Sequence, residues 1–174
     1  MTCVIVLGCY RTGTSAVAAL LHGMGIHMGD QFDPPSSANP RGYFEDVEFK
    51  SYHQKIDEMK EGWYGSDPES EYRALVAKRE CEHDLWGVKD PKLCLYLPVL
   101  LEALNGDHRI IQTVRPRAHI VHSLEKAGLM DMEPLVDFYV AAQIQHLKEY
   151  SGDVLKIHFD ELESAAPKIE AFIS

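Results

Sequence analysis

The chain alternates short apolar runs with longer amphipathic segments. Thr2 to Leu7 is a run of mostly β-branched and aliphatic residues, typical of a strand that is buried on both faces. From Thr14 to Met24 the apolar residues recur at helical spacing, and Gly25 is a suitable residue to end that helix. The pattern therefore predicts that the chain begins with a strand, a glycine-containing loop and a helix.

The same alternation continues along the rest of the chain. Further strands are predicted at Leu85–Lys89, Arg109–Val114 and Val154–Phe159. Helices are predicted at Asp46–Lys60, near Tyr72–Cys81, from Pro98, from Pro116 to Lys126, at Glu133–Tyr150 and from Pro167. Strands that alternate with helices predict an α/β fold, a three-layer sandwich with a mainly parallel sheet of about four to five strands. A single domain over residues 1–174 is expected at this length.

Two segments lack this regular pattern. Residues 30–42 are rich in proline, serine, asparagine and glycine, which predicts a loop. Residues 61–71 are polar and carry Trp63 and Tyr64, which we interpret as a flap. These segments are where we expect the least regular structure.

The loop between the first strand and the first helix has most of a phosphate-binding motif. In the triphosphate form G-x-x-x-x-G-K-[ST], Gly8, Gly13 and Ser15 match, but Thr14 replaces the lysine. Glycines let backbone N–H groups converge on an anion, and the positive end of the helix dipole points to the same place. The loop therefore predicts an oxyanion site of the P-loop nucleotide-binding type, with a plain strand–helix turn as the alternative.

Charge and composition narrow the class of ligand. The net charge of −10 argues against a general nucleic-acid binder and against docking on an acidic membrane surface, so an anion site must be a local concentration of positive charge. The cysteines show no zinc-like spacing and are expected to be free thiols; they are Cys3, Cys9, Cys81 and Cys94. No apolar run approaches membrane-spanning length and no signal-peptide pattern is present, so we expect a cytoplasmic protein without stable membrane insertion.

The segment Arg11-Thr12-Gly13-Thr14-Ser15 fits the pattern [KR]-[ST]-G-[ST]-[ST] at every position. On this motif the chain resembles sulfotransferases that use 3′-phosphoadenosine 5′-phosphosulfate (PAPS) as donor. Its arginine form is similar to that of bacterial members and protein-tyrosine sulfotransferases. The resemblance implies that the loop holds the 5′-phosphosulfate and that Arg11 stabilises charge on the transferring sulfuryl group.

Two further motifs support the resemblance. Arg115 and Ser123 have the spacing of the family's pair that binds the 3′-phosphate, for which a permanent cation and a hydroxyl are suitable partners. Lys89, followed by Asp90 and Pro91, matches a family lysine that helps neutralise the bridging oxygen and the sulfuryl group. Lys92 is a less suitable substitute, and the segment Phe159 to Leu162 resembles a family element that has only a structural role.

Sulfuryl transfer also needs a base for the acceptor proton. The resemblance implies Glu45, which we expect to be kept ionised by Arg11 and Lys89. Asp46 could be the base instead, or could cap the following helix, and His53 is a weaker candidate. No metal is implied.

The resemblance therefore predicts a PAPS-dependent sulfotransferase with catalytic Arg11, Glu45 and Lys89. Residues 30–80 are expected to build the acceptor pocket for a small molecule, lipid, glycan or peptide. Its lining would come from Tyr43, Phe44, Trp63 and Tyr64. Two alternatives remain open: a P-loop kinase of nucleosides or small molecules, with Asp90 as its magnesium ligand, and a nucleotide-binding module without catalysis.

Overall fold

The computed structural model describes residues 1–60 and 68–174, and it has four parallel strands between two layers of helices. The strands are β1 (Thr2–Leu7), β2 (Leu85–Lys89), β3 (Asp107–Val114) and β4 (Val154–His158). Their order in the sheet is β2-β1-β3-β4, with Val4 of β1 between Gly87 of β2 and Arg109 of β3. The predicted three-layer α/β architecture is confirmed.

Helices account for most of the remaining described chain. They are α1 (Thr14–Gly23), α2 (Val47–Lys60), α3 (Pro68–Glu82), α4 (Leu93–Ala103), α5 (Arg117–Ala127), α6 (Glu133–Glu149) and α7 (Ala166–Ile173), with 3-10 turns at Met130–Met132 and Phe159–Ser164. Among the described residues, no helix is both long and apolar enough to cross a bilayer. All four cysteines are free thiols, as expected.

The alternation of side chains along β1 divides the core into two clusters. Cys3 and Ile5 belong to the cluster that includes residues of α2 to α6, whereas Val4 and Val6 belong to the cluster that includes residues of α1 and α7. The helix after β1 therefore lies on one face of the sheet and the helix after β3 on the other. Such a divergence opens a crevice at the carboxyl ends of the two strands, where ligands bind in parallel α/β sheets.

Two helices begin more than two residues before the predicted position. Helix α4 begins at Leu93, and Pro98 lies inside it rather than at its start. Proline removes one helical hydrogen bond, but full burial of Leu93, Leu97 and Leu100 on the core side outweighs that loss.

Helix α3 also begins earlier than predicted, because residues 68–71 belong to it rather than to a flap. Pro68 begins the helix and the first turn carries Glu69 and Glu71, both favourable there. Trp63 and Tyr64, predicted to line the acceptor pocket, lie outside the described residues.

Candidate functional site

The loop that joins β1 to α1 is tied to β3 by threonine hydroxyls. Thr12 Oγ1 donates a hydrogen bond to the Cys9 carbonyl at 2.6 Å and lies 2.8 Å from Thr113 Oγ1, which must then be the donor of that second bond. A Cβ on Gly8 would lie 2.1 Å from Thr113 Oγ1. Only glycine at position 8 therefore allows the loop to approach β3 this closely.

The first turn of α1 leaves its backbone donors open. Gly13 precedes the helix in a left-handed conformation (φ 101°), supplies no side-chain cap, and is followed by a first turn without acidic residues. The N–H groups of Thr14 and Ser15 have no acceptor among the described residues. Unpaired donors at the positive end of a helix form an anion-binding site.

Two arginines lie beside this helix end. Arg11 has a left-handed backbone (φ 65°), and its Nε donates to Ser123 Oγ at 3.0 Å while its Nη1 donates to the Ala38 carbonyl at 2.9 Å. Arg115 Nη1 donates to the Arg11 carbonyl at 2.9 Å, and its guanidinium lies 3.7 Å from the centre of the Phe159 ring. Neither arginine pairs with a carboxylate within residues 1–60 and 68–174. Burial, and then the charge of Arg11, lower the pKa of Arg115, although a guanidinium stays charged.

Lys89 joins the loop to the predicted base. Its Nζ lies 2.6 Å from Glu45 Oε1 and donates to Ser15 Oγ and the Tyr43 carbonyl, both at 3.2 Å. Lys89 is 2% exposed and Glu45 is 8% exposed. Burial raises the pKa of Glu45, and the opposing charge of Lys89 does not cancel that effect. Lys89 lowers the pKa of Glu45 by less than burial raises it, and a raised pKa makes the carboxylate a stronger base.

Asp46, the neighbouring acid, has a structural role. Its Oδ1 accepts a hydrogen bond from the Glu48 N–H at 3.0 Å, which caps the start of α2, and its Oδ2 pairs with Arg79 Nη2 at 2.9 Å. Asp46 does not line the cavity next to Lys89. Of the two alternatives for Asp46, the structure shows the cap.

His53 lies behind the site and not in it. The ring is fully buried, with Nδ1 2.7 Å from Asp90 Oδ2 and Nε2 3.2 Å from the Tyr72 hydroxyl. The Lys92 N–H donates to the other oxygen, Asp90 Oδ1, at 2.9 Å. Burial works to raise the pKa of Asp90, but hydrogen bonding and the charge of His53 outweigh it, so that this pKa is lowered. Both oxygens of Asp90 thus have protein donors.

Two cavities meet at the loop. The first, about 450 Å³, is lined by Glu45 and Lys89, and the second, about 420 Å³, by Arg115 and Ser123. Both include Arg11, Thr14, Ser15, Ala38 and Asn39. Asn39 Nδ2 donates to Ser15 Oγ at 3.2 Å, so the 38–39 segment lies across the loop where the cavities join. A larger cavity of about 600 Å³, near Thr2, Asp107 and Asp153, contains no residue of the loop.

The structure brings together the predicted residues from the loop, β2, β3 and α5, and it adds others. Tyr43 lines the first cavity, whereas Phe44 packs against the core next to Phe32. Tyr10 and Asn39 were not predicted. Tyr10 lies within the loop motif, so its place in the motif could have indicated a site residue. Nothing in the sequence around Asn39 distinguishes it from the other polar residues of its loop.

Comparisons with protein-family models, curated proteins and solved structures yield no match. The fold and the site define the chain as a three-layer α/β protein with a cationic loop at the carboxyl edge of its sheet. Function is inferred from that geometry together with the sequence motifs.

Proposed function

We propose that this protein is a PAPS-dependent sulfotransferase that moves a sulfuryl group to a hydroxyl or amine acceptor. The observation that carries the proposal is that Arg115 donates a hydrogen bond to the Arg11 carbonyl at 2.9 Å, and that neither arginine has a carboxylate partner in the described chain. The protein has 27 acidic residues and 17 basic ones, so two arginines without carboxylate partners, near open backbone donors, favour a strongly anionic ligand.

The donor groups fit the two anionic ends of PAPS. The open N–H groups of Thr14 and Ser15, with Arg11, would hold the phosphosulfate. Arg115 and Ser123 would hold the 3′-phosphate: Arg115 Nε is buried without an acceptor in the described residues, and the Ser123 hydroxyl accepts from Arg11 and still has a proton to donate. This pairing of one loop with a second cationic cavity supports a nucleotide that is charged at both its 5′ and 3′ positions.

The chain's own residues then have distinct roles. When bound, PAPS supplies an activated sulfuryl group. Glu45, whose pKa is raised by burial, accepts the proton of the acceptor hydroxyl. Lys89 and Arg11 offset the negative charge that develops next to the loop. Lys89 acts through its charge from a fixed position, because Ser15, the Tyr43 carbonyl and Glu45 accept its three hydrogen bonds, and the Ala38 carbonyl holds Arg11. The proposal includes no metal.

A kinase is less well supported by the contacts of Asp90. A strand-end aspartate that binds Mg²⁺ must present a lone pair to the ion, but Asp90 is 4% exposed and its two oxygens already accept hydrogen bonds from His53 and the Lys92 N–H. Four unpaired cysteines suit a reducing compartment, so we place the reaction in the cytoplasm.

Titration calorimetry tests the proposal with adenosine 3′,5′-bisphosphate and with ATP–Mg²⁺. We expect the bisphosphate to bind and Arg11→Ala to lose sulfuryl transfer with an unchanged circular dichroism spectrum. Arg73→Ala is the control, because Arg73 is half exposed and pairs with Glu102 far from the loop. Tight ATP–Mg²⁺ binding without bisphosphate binding, or full transfer activity in Arg11→Ala, would refute the sulfotransferase assignment.

A further inference from the structure

The cavity next to Glu45 indicates what the acceptor is, given the proposed function. We infer that the acceptor is a small, uncharged, largely apolar molecule with a hydroxyl group, such as a phenol or an aliphatic alcohol. The inference rests on the size of the cavity, on its apolar side chains and on the pairing of its charges.

The cavity has the size of a small-molecule site. Its volume of about 450 Å³ lies within the range of roughly 300–1,000 Å³ that is usual for such sites. Glu45 and Lys89 supply the polar groups next to the loop, where the acceptor hydroxyl must lie. The cavity can therefore enclose a compact acceptor around its reacting oxygen.

Several of the lining residues are apolar or aromatic. Leu129 and Met132 come from the turn between α5 and α6, and Pro91 follows β2. Tyr10 also lines the cavity, and its aromatic ring packs against the Tyr139 ring at a centroid distance of 5.2 Å. Apolar contacts of this kind favour a ligand with a hydrocarbon or aromatic body.

The charged residues around the cavity are already paired. Lys50 pairs with Asp33, and Lys92 Nζ lies 2.6 Å from an oxygen of Asp57. Lys89 pairs with Glu45 at 2.6 Å. Apart from Arg11, which the donor would engage, no lining cation of the described chain is left for an anionic acceptor, and the lining carboxylates likewise have partners. A sulfated or uronic-acid glycan would therefore find no other cation among the described residues of this cavity without a carboxylate partner, whereas a neutral alcohol needs none.

Calorimetry with 2-naphthol, in the presence of saturating adenosine 3′,5′-bisphosphate, tests the inference by binding. We expect Met132→Glu to weaken naphthol binding at least roughly tenfold, because it places a charge on the apolar lining, and Met132→Leu to retain it. Leu129→Gln is the second variant if Met132→Glu does not fold. Met24→Glu is the matched control, since Met24 is 37% exposed and lines neither cavity at the loop.

Transfer from PAPS is then compared among 2-naphthol, 1-hexanol, a heparan tetrasaccharide and a tyrosine-containing peptide. We expect the naphthol and the hexanol to be the preferred acceptors. Preferred transfer to the tetrasaccharide or the peptide, or naphthol binding unchanged by both Met132→Glu and Leu129→Gln, overturns the acceptor class. If the bisphosphate binds and naphthol does not, the acceptor class is wrong but the proposed function stands. If the bisphosphate does not bind, the proposed function itself is wrong.

Discussion

Replacing Lys89 with methionine keeps most of the side-chain volume and removes the cation that faces a buried carboxylate. The Lys89 Nζ to Glu45 Oε1 distance is 2.6 Å, and Lys89 is 2% exposed, so bulk water has little access to replace the lost charge. Breaking a buried ion pair from one side typically costs about 3–5 kcal/mol, because the remaining charge is left uncompensated.

The pH determines how much of this cost Lys89→Met shows. Without Lys89, burial raises the pKa of Glu45 further above its ordinary value of 4.5. An acid whose folded pKa lies above its unfolded pKa loses stability as the pH rises through the interval between them. Glu45 can avoid the uncompensated charge by taking up a proton, which costs about 1.4 kcal/mol for each pH unit above its ordinary pKa of 4.5. The loss of stability is therefore limited to about 5 kcal/mol at pH 8 and about 1.4 kcal/mol at pH 5.5.

Urea unfolding followed by tryptophan fluorescence at both pH values measures this difference. We expect Lys89→Met to be about 2–3 kcal/mol more destabilising at pH 8 than at pH 5.5. Combining it with Glu45→Gln should remove most of that pH dependence. Lys55→Met, which breaks an exposed pair with Glu71, is the control and should show no such dependence. An equal loss at both pH values, or one that Glu45→Gln does not change, would refute the buried pair.

Three further predictions address the loop and the chemistry. Gly8→Ala places a Cβ 2.1 Å from Thr113 Oγ1 and should lower the free energy of unfolding in urea by about 2–3 kcal/mol. Gly23→Ala is the control and should not destabilise the protein, because a Cβ there meets no atom within 4 Å. Equal effects of the two substitutions would contradict the close approach of Gly8 to β3. Arg115→Met should weaken adenosine 3′,5′-bisphosphate binding at least roughly tenfold but leave 5′-AMP binding unchanged in calorimetry, and a similar loss for both would exclude a 3′-phosphate contact. Transfer activity should fall as the pH drops through the raised pKa of Glu45, because a base must be deprotonated, whereas the residual activity of Glu45→Gln should not fall in this range. If Glu45→Gln loses activity at low pH as the wild type does, the pH dependence belongs to another group.

Much of the fold could be predicted because its signals are local. The bounds of β1 and β2 match the apolar runs of the sequence, since strands buried on both faces are continuous apolar segments. The helix start at Pro98 was wrong because local proline preference competed with a buried face that begins at Leu93. Propensity acts over one turn, whereas burial acts over the whole helix.

The strand–loop–helix unit from Thr2 to Gly23 follows from local sequence alone, because its glycines, its apolar runs and its helix start act on near neighbours. The different surroundings of Glu45 and Asp46, two adjacent acids of similar chemistry, depend instead on tertiary packing. Arg79, from a distant helix, pairs with Asp46, whereas Glu45 pairs with Lys89 at the end of β2. Such choices depend on side chains far apart in sequence, which only the packing of the sheet and its two helical layers brings into contact.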